Sequence, residues 1–306
     1  MPRAVAMSTS WNAKRHADAK GVVEEILGLG IKHLEVGYLM GLTQLDELCE
    51  LLPAGHVQVV SIHNFCPVPP EHKCSWGDDF LLSSSDEEKR KLGVQSTLQT
   101  TEWARRLGAQ AVVMHLGEVS VDKGIFKTIK QSVANGNADQ PTLKSLVVEA
   151  KKERDRLAPP HLEAVKKSLD DILAQLPSGL VLGLESRSDY YQIPNLSEAQ
   201  QLLEEYGDSV GYWHDVGHAY MQEIMGFYEP DEYIKTLHRQ LIGWHIHDSL
   251  RVSDHRAPGA GAIDFDASVK PYLKDGALQV LEFHPRIART EAAQGIEFLR
   301  TKNIIL

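Results

Sequence analysis

The feature that most restricts the fold of this chain is an alternation. Short apolar runs are followed, from end to end, by segments with helical spacing. The strand candidates are RAVAMSTSW (3–11), HLEVGY (33–38), VQVVSIHNF (57–65), AVVMHLGE (111–118), LVLGLES (180–186), VGYWHD (210–215), LIGWHIHDS (241–249) and LQVLEFHP (278–285). Runs such as AVVM and LVLGL are apolar at consecutive positions, which suits strands covered on both faces in a parallel sheet. Between them, LTQLDELCELLPAG places Leu42, Leu45, Leu48 and Leu51 at helix spacing. SDEEKRKLGVQSTLQTTEWARRLGA opens with a Ser and early acids, as helix starts prefer. Eight such units in 306 residues predict an α/β fold, a closed (β/α)8 TIM barrel forming a single domain over 1–306. An open doubly wound sheet is the weaker reading. No GxGxxG follows the first strand, and a six-strand order leaves two units over.

Two connections are long. Residues 119–159 follow the fourth strand and include VANGNADQP and KKERDR. An insertion at that end of a strand is expected to serve as a lid, a substrate wall or an oligomer contact. KKERDR itself reads as a solvated helix face. The loop 67–86 lies on the same predicted face and is expected to bring His72 and Trp76 to a substrate pocket.

The net charge is −10. This opposes tight binding to a phosphate backbone, which Lys and Arg drive, so nucleic acid is not an expected partner. Cys49, Cys66 and Cys74 are odd in number and form no CxxC pair, as expected of reduced thiols in a cytoplasmic protein. No secretory h-region opens the sequence, and no apolar run reaches the roughly 18 residues of a membrane span.

In a barrel of this kind the chemistry sits at the C-terminal ends of the strands. The residues there are strongly biased. Strand two carries Glu35, strand three His63, and strand four His115 with Glu118 beyond. Strand five ends in Glu185, and strand six in Asp215, with His218 one short step later. Strand seven gives His245 and His247 in one phase, then Asp248; strand eight gives Glu282 and His284. Asp254 and His255 follow strand seven. Gly183 and Gly243 lie two residues before Glu185 and His245, and are expected to leave room at the barrel top. One such side chain means little. So many acids and imidazoles in one mouth would repel or carry large desolvation costs unless a divalent cation satisfied them together. Three carboxylates with a histidine suit Mn²⁺, Mg²⁺, Co²⁺ or Zn²⁺, and added imidazoles favour a transition metal.

At these residues the sequence resembles the xylose isomerase-like barrel superfamily, which includes sugar phosphate isomerases/epimerases, inosose-type isomerases and the endonuclease IV family. The resemblance rests on LGLES at Glu185, HDVGH at Asp215 and His218, WHIHDS at His245, DHRAPGAGAIDF at 254–265 and LEFHP at Glu282. It implies that Glu185, Asp215, His245 and Glu282 bind a central metal. His247 shares the phase of His245, but HIHD resembles members whose first histidine is the ligand. The nuclease branch uses further ligands for a multi-zinc cluster, and His63, His115, His218 and His255 match those. Asp254 departs by one position from that branch's spacing.

Two chemistries follow from this resemblance. In the first, a metal-dependent isomerase or epimerase acts on a sugar, sugar phosphate or polyol derivative. Glu185 and Glu282 move a proton between neighbouring carbons, and His218 orients hydroxyls. Arg187, Tyr190, Tyr191, His247, Arg251 and Trp76 are the candidate substrate contacts. The second is phosphoester hydrolysis by clustered zinc, and a non-catalytic sugar-binding barrel is the remaining alternative. The expected cofactor is Zn²⁺, Mn²⁺ or Co²⁺, more than one ion in the hydrolytic case. The expected partners are a sugar-like small molecule and a second copy of the chain, with no membrane.

Overall fold

The computed structural model describes residues 5–68, 82–137 and 141–306. Within them the chain runs β1 (Val5–Ser8), α1 (Ala19–Leu27), β2 (His33–Val36), α2 (Leu42–Leu51), β3 (Gln58–His63), α3 (Glu87–Leu107) and β4 (Ala111–Met114). It continues with α4 (Gly124–Ala134), α5 (Pro141–Leu157), α6 (Pro159–Leu173), β5 (Val181–Glu185), α7 (Leu196–Tyr206), β6 (Val210–Asp215), α8 (Val216–Ile224) and α9 (Glu232–Leu237). Then come β7 (Leu241–Ile246), β8 (Asp248–Leu250), β9 (Ser253–Arg256), α10 (Phe265–Ser268), β10 (Leu278–Leu281) and α11 (Arg289–Thr301). Strands β1 to β7 and β10 pair in parallel and close into a barrel in the order β1-β10-β7-β6-β5-β4-β3-β2. The closed eight-stranded barrel is thus the fold the alternation predicts. No helix among the described residues is long and apolar enough to cross a membrane.

Local chemistry explains the helix starts. Asp18 caps α1 by accepting from the Gly21 N–H, and Asp86, rather than Ser85, caps α3 by accepting from Glu88 and Lys89. Asn195 and Glu198 form a reciprocal capping box on α7.

The structure differs from the pattern-based expectation in four places. First, the strands are shorter. Of 3–11, the described residues form a strand over Val5–Ser8 and leave it from Thr9 onward, and 241–249 breaks after Ile246, where Asp248 begins the antiparallel β8–β9 hairpin. Second, α8 starts directly after β6. Asp215 is its N-cap, accepting from the His218 N–H, so His218 stands in the first turn of a helix. Third, Gly183 and Gly243 do not leave open space. A Cβ on either would meet the Trp213 ring, at 2.9 Å and 2.2 Å. The indole fills the barrel with Ala6, Val60, Ala111, Val113 and Val280, and forms the floor below the site. Fourth, KKERDR is solvated only in part, because Arg154 is buried and bonded to Glu198.

The connection after β4 contains α4 and α5. They build an apolar cluster with α8 from Phe126, Ile129, Val133, Leu143, Val147, Met221 and Met225.

Candidate metal centre

The β-register gathers the ligands. Asp215 on β6 is the direct neighbour of His245 on β7, and His245 pairs in turn with Val280 of β10, two residues before Glu282. Glu185, Asp215, His245 and Glu282 are all buried, and each offers one ligand atom within 4.8 Å of the others. The His245 Nδ1 atom faces three carboxylates, 2.9 Å from Glu185 Oε1, 3.2 Å from Glu282 Oε2 and 3.8 Å from Asp215 Oδ2.

The neighbouring histidines are oriented by backbone carbonyls. His63 Nδ1 lies 2.9 Å from the Asn64 carbonyl and His218 Nδ1 lies 3.0 Å from that of Ser186. Donation from each Nδ1–H leaves an Nε2 lone pair free. His63 Nε2 lies 3.7 Å from Glu185 Oε2, and His115 Nε2 lies 2.5 Å from the same oxygen. His63, His115 and Glu185 form a second group of ligand type. Asp215, His218, His247 and His255 form another, with Asp254 3.6 Å from His218 Nε2.

His247 differs from the rest. Its Nδ1 accepts the His255 backbone N–H at 2.9 Å, and its Nε2 lies 2.9 Å from Asp215 Oδ1. Both ring nitrogens are therefore used, one as acceptor and one as donor, and the imidazole is a clamp on Asp215. The stretch 259–263 that follows β9 is held by Asp248. This buried carboxylate accepts backbone N–H bonds from Ser249, Gly259, Gly261 and Ile263. The sequence reading named Asp248 but gave it no task. The signal was present, since the glycine-rich APGAGA stretch has exposed N–H groups that need an acceptor.

Electrostatics agree with a charge-dense floor. Burial alone would raise the Glu185 carboxyl, but His115 and Arg187 hold it well below the usual carboxylate range. Burial likewise opposes ionisation of Asp215, and His218 and His247 reverse it. Burial keeps the His218 and His115 imidazoles below their usual value, and so neutral and able to act as ligands.

A cavity of about 620 Å³ opens above these groups. Its lining includes His63, His115, Glu185, Arg187, His218, Asp254, His255 and Glu282, with Tyr38, Lys14, His284 and Arg286 toward the rim. Of the expected substrate contacts, Arg187 lines it and donates to Glu185 Oε2 at 2.8 Å. Tyr190, Tyr191, Arg251 and His247 are elsewhere. Tyr190 is buried in the α4–α5 cluster with its hydroxyl on Asp155, and Tyr191 packs on Phe126. Arg251 donates to the Ala134 carbonyl, and His247 lies behind Asp215. Among the described residues, none of 119–159 lines the cavity. Trp76, His72 and Cys74 lie outside the described residues. Lys14, Tyr38 and Arg286 were not anticipated, because nothing in their local pattern marks a rim position.

Residues 24–302 match the family described as xylose isomerase-like TIM barrel. The chain belongs to this family. No curated protein sequence matches it. Solved structures with the same fold include a 3-keto-D-glucoside 4-epimerase from E. coli, with TM-score 0.67 and 16% identity, covering 98% of this chain and 99% of that one. An L-ribulose 3-epimerase gives TM-score 0.64 and 17% identity, with 99% and 97% covered. A putative xylose isomerase from Rhodospirillum rubrum gives 0.69 and 12%, with 98% and 99% covered. At these identities the likeness is one of fold.

The donor set fits a divalent cation. Three buried carboxylates crowd one imidazole nitrogen, and this much negative charge out of water is costly unless a cation compensates it. Mixed oxygen and imidazole donors suit Mn²⁺, Co²⁺ or Zn²⁺.

Proposed function

We propose that the protein is a divalent-metal-dependent isomerase or epimerase of a sugar, sugar phosphate or polyol derivative. The observation that carries this reading is the convergence of Glu185, Asp215, His245 and Glu282 on one point at the floor of a cavity of about 620 Å³. The epimerase neighbours of the same fold support it. A cation held by these four residues would supply Lewis-acid polarisation of an adjacent carbonyl and hydroxyl. Glu185 and Glu282 approach from β5 and from the end of β10. One would take a proton from a substrate carbon and the other would return one. Arg187 donates to Glu185, and His218, which lines the cavity, would orient a hydroxyl. The same reading treats 1–306 as one barrel domain working in the cytoplasm, as the free Cys49 and Cys66 suggest. Residues 119–159 would then act at an oligomer contact rather than as a wall of the site.

The group of Asp215, His218, His247 and His255 favours a second reading, hydrolysis by clustered zinc. The net charge of −10 weighs against it for a nucleic-acid ester. The test is incubation of the Mn²⁺-loaded protein with a panel of ketoses, sugar phosphates and inososes in D₂O. The expected result is deuterium at a carbon beside the carbonyl, lost in Glu282→Gln. No exchange with any of them, together with several zinc ions per chain and release of phosphate from an ester, would overturn the proposal.

A further inference from the structure

Glu35 has no part in the chemistry described so far, yet its carboxylate is fully buried. It belongs to β2, which lies three strands from β7 around the barrel. Its oxygens nevertheless reach His245, at 3.1 and 3.2 Å from Nε2. The β2–β3 register sets Glu35 directly beside Ser61, whose hydroxyl donates to Glu35 Oε2 at 2.9 Å. Ser61, Glu35 and His245 thus form a chain across the inside of the barrel. Glu35 is not among the residues lining the cavity.

From this geometry we infer that Glu35 is a positioning residue for the metal centre. It takes the Nε2–H of His245 and thereby turns Nδ1 toward Glu185, Asp215 and Glu282. An imidazole has two nitrogens, and the bond made by one decides what the other offers. Carboxylate partners of this kind fix the ring of a metal-binding histidine and raise its basicity, and their loss commonly weakens metal binding by ~10–100-fold. Ser61 orients the carboxylate in turn. The physical need is mutual, because a buried carboxylate without donors carries a large desolvation cost. On strand seven, His245 is held by Glu35 on the side away from the centre, whereas His247 meets Asp215 and the His255 backbone N–H.

This inference rests on the proposed metal centre, and its test separates the two. The first readout is hydrogen exchange of the His245 Nε2–H, followed by ¹⁵N-histidine spectra of the metal-free protein. The second is Mn²⁺ affinity by calorimetry. Wild type is expected to show a protected ring N–H on Nε2. Glu35→Ala is expected to lose that protection and about 10–100-fold in Mn²⁺ affinity. Glu35→Gln, whose amide oxygen still accepts, is expected to keep the protection and lose less affinity. Ser61→Ala, with a smaller loss of affinity, carries the test if Glu35→Ala fails to fold. A folded Glu35→Ala with a protected ring N–H and wild-type affinity would overturn the inference. Failure of wild type to bind any divalent cation would instead remove the proposed function, while the ring N–H would still report on Glu35.

Discussion

His247 Nε2 lies 2.9 Å from Asp215 Oδ1, while its Nδ1 accepts the backbone N–H of His255. Through these two contacts the ring acts as a clamp on Asp215 and holds its carboxylate in place. His247→Ala is therefore expected to weaken Mn²⁺ binding by roughly 10–100-fold without changing the number of ions bound. Calorimetry gives the affinity and elemental analysis the count. A drop in bound zinc per chain with the remaining affinity unchanged would mark His247 as a ligand after all.

Gly217 on α8 sits against that ring, and a Cβ there would come within 2.1 Å of His247 Cε1. Replacing a helical glycine with alanine ordinarily gains about 1 kcal/mol of helix stability. Here the clash is with a ring fixed at both nitrogens, so overpacking, at about 1–3 kcal/mol, offsets the gain or exceeds it. Gly217→Ala is expected to lose stability in urea unfolding and to weaken Mn²⁺ binding, because the displaced ring releases Asp215. A variant that gains stability and binds Mn²⁺ normally would show that the helix can slide clear.

Asp248 accepts four backbone N–H groups, two on each oxygen. Asparagine is nearly isosteric, but its amide would turn an NH₂ toward two N–H donors whichever way it flipped. Each donor left unsatisfied costs about 1–3 kcal/mol. Asp248→Asn is thus expected to destabilise almost as much as Asp248→Ala, by about 2–5 kcal/mol, and to raise hydrogen exchange in 249–263. The conservative variant behaving like wild type would refute the assignment.

Glu223, on the last turn of α8, accepts from the Asp231 N–H at 2.7 Å. Burial pushes its carboxyl from 4.5 up to about 7. The folded state therefore keeps a proton that the unfolded chain has already released between these values. Stability falls as pH rises through this window and levels off above it. Glu223→Gln keeps the acceptor and removes the charge. It is expected to exceed wild type by about 1–3 kcal/mol at pH 8, with little difference at pH 4. Urea unfolding at both pH values checks this, and a difference independent of pH would contradict it.

The barrel was legible because its signal is local and repeated. Consecutive apolar residues in AVVM and LVLGL, and the leucine spacing of LTQLDELCELL, act over a few residues each. The ligand types were legible for a related reason, since a strand end in this fold has one place to point. Contacts with the outer loops were not. Tyr190 and Arg251 sit on connections whose path depends on what packs over them, and they turned toward α5 and α4 rather than the cavity.

The sequence alone determined that eight strands alternate with helices and that acids and imidazoles crowd one rim, since periodicity and composition are written along the chain. The tertiary structure alone decided which nitrogen of which histidine faces the centre. His245 and His247 share a strand phase, and only the break after Ile246, the reach of Glu35 across the barrel and the approach of the His255 backbone give them different partners. It also decided that Trp213 fills the space beside Gly183 and Gly243. A pattern fixes the face of an element, whereas the partners of that face come from residues as far as 210 positions away.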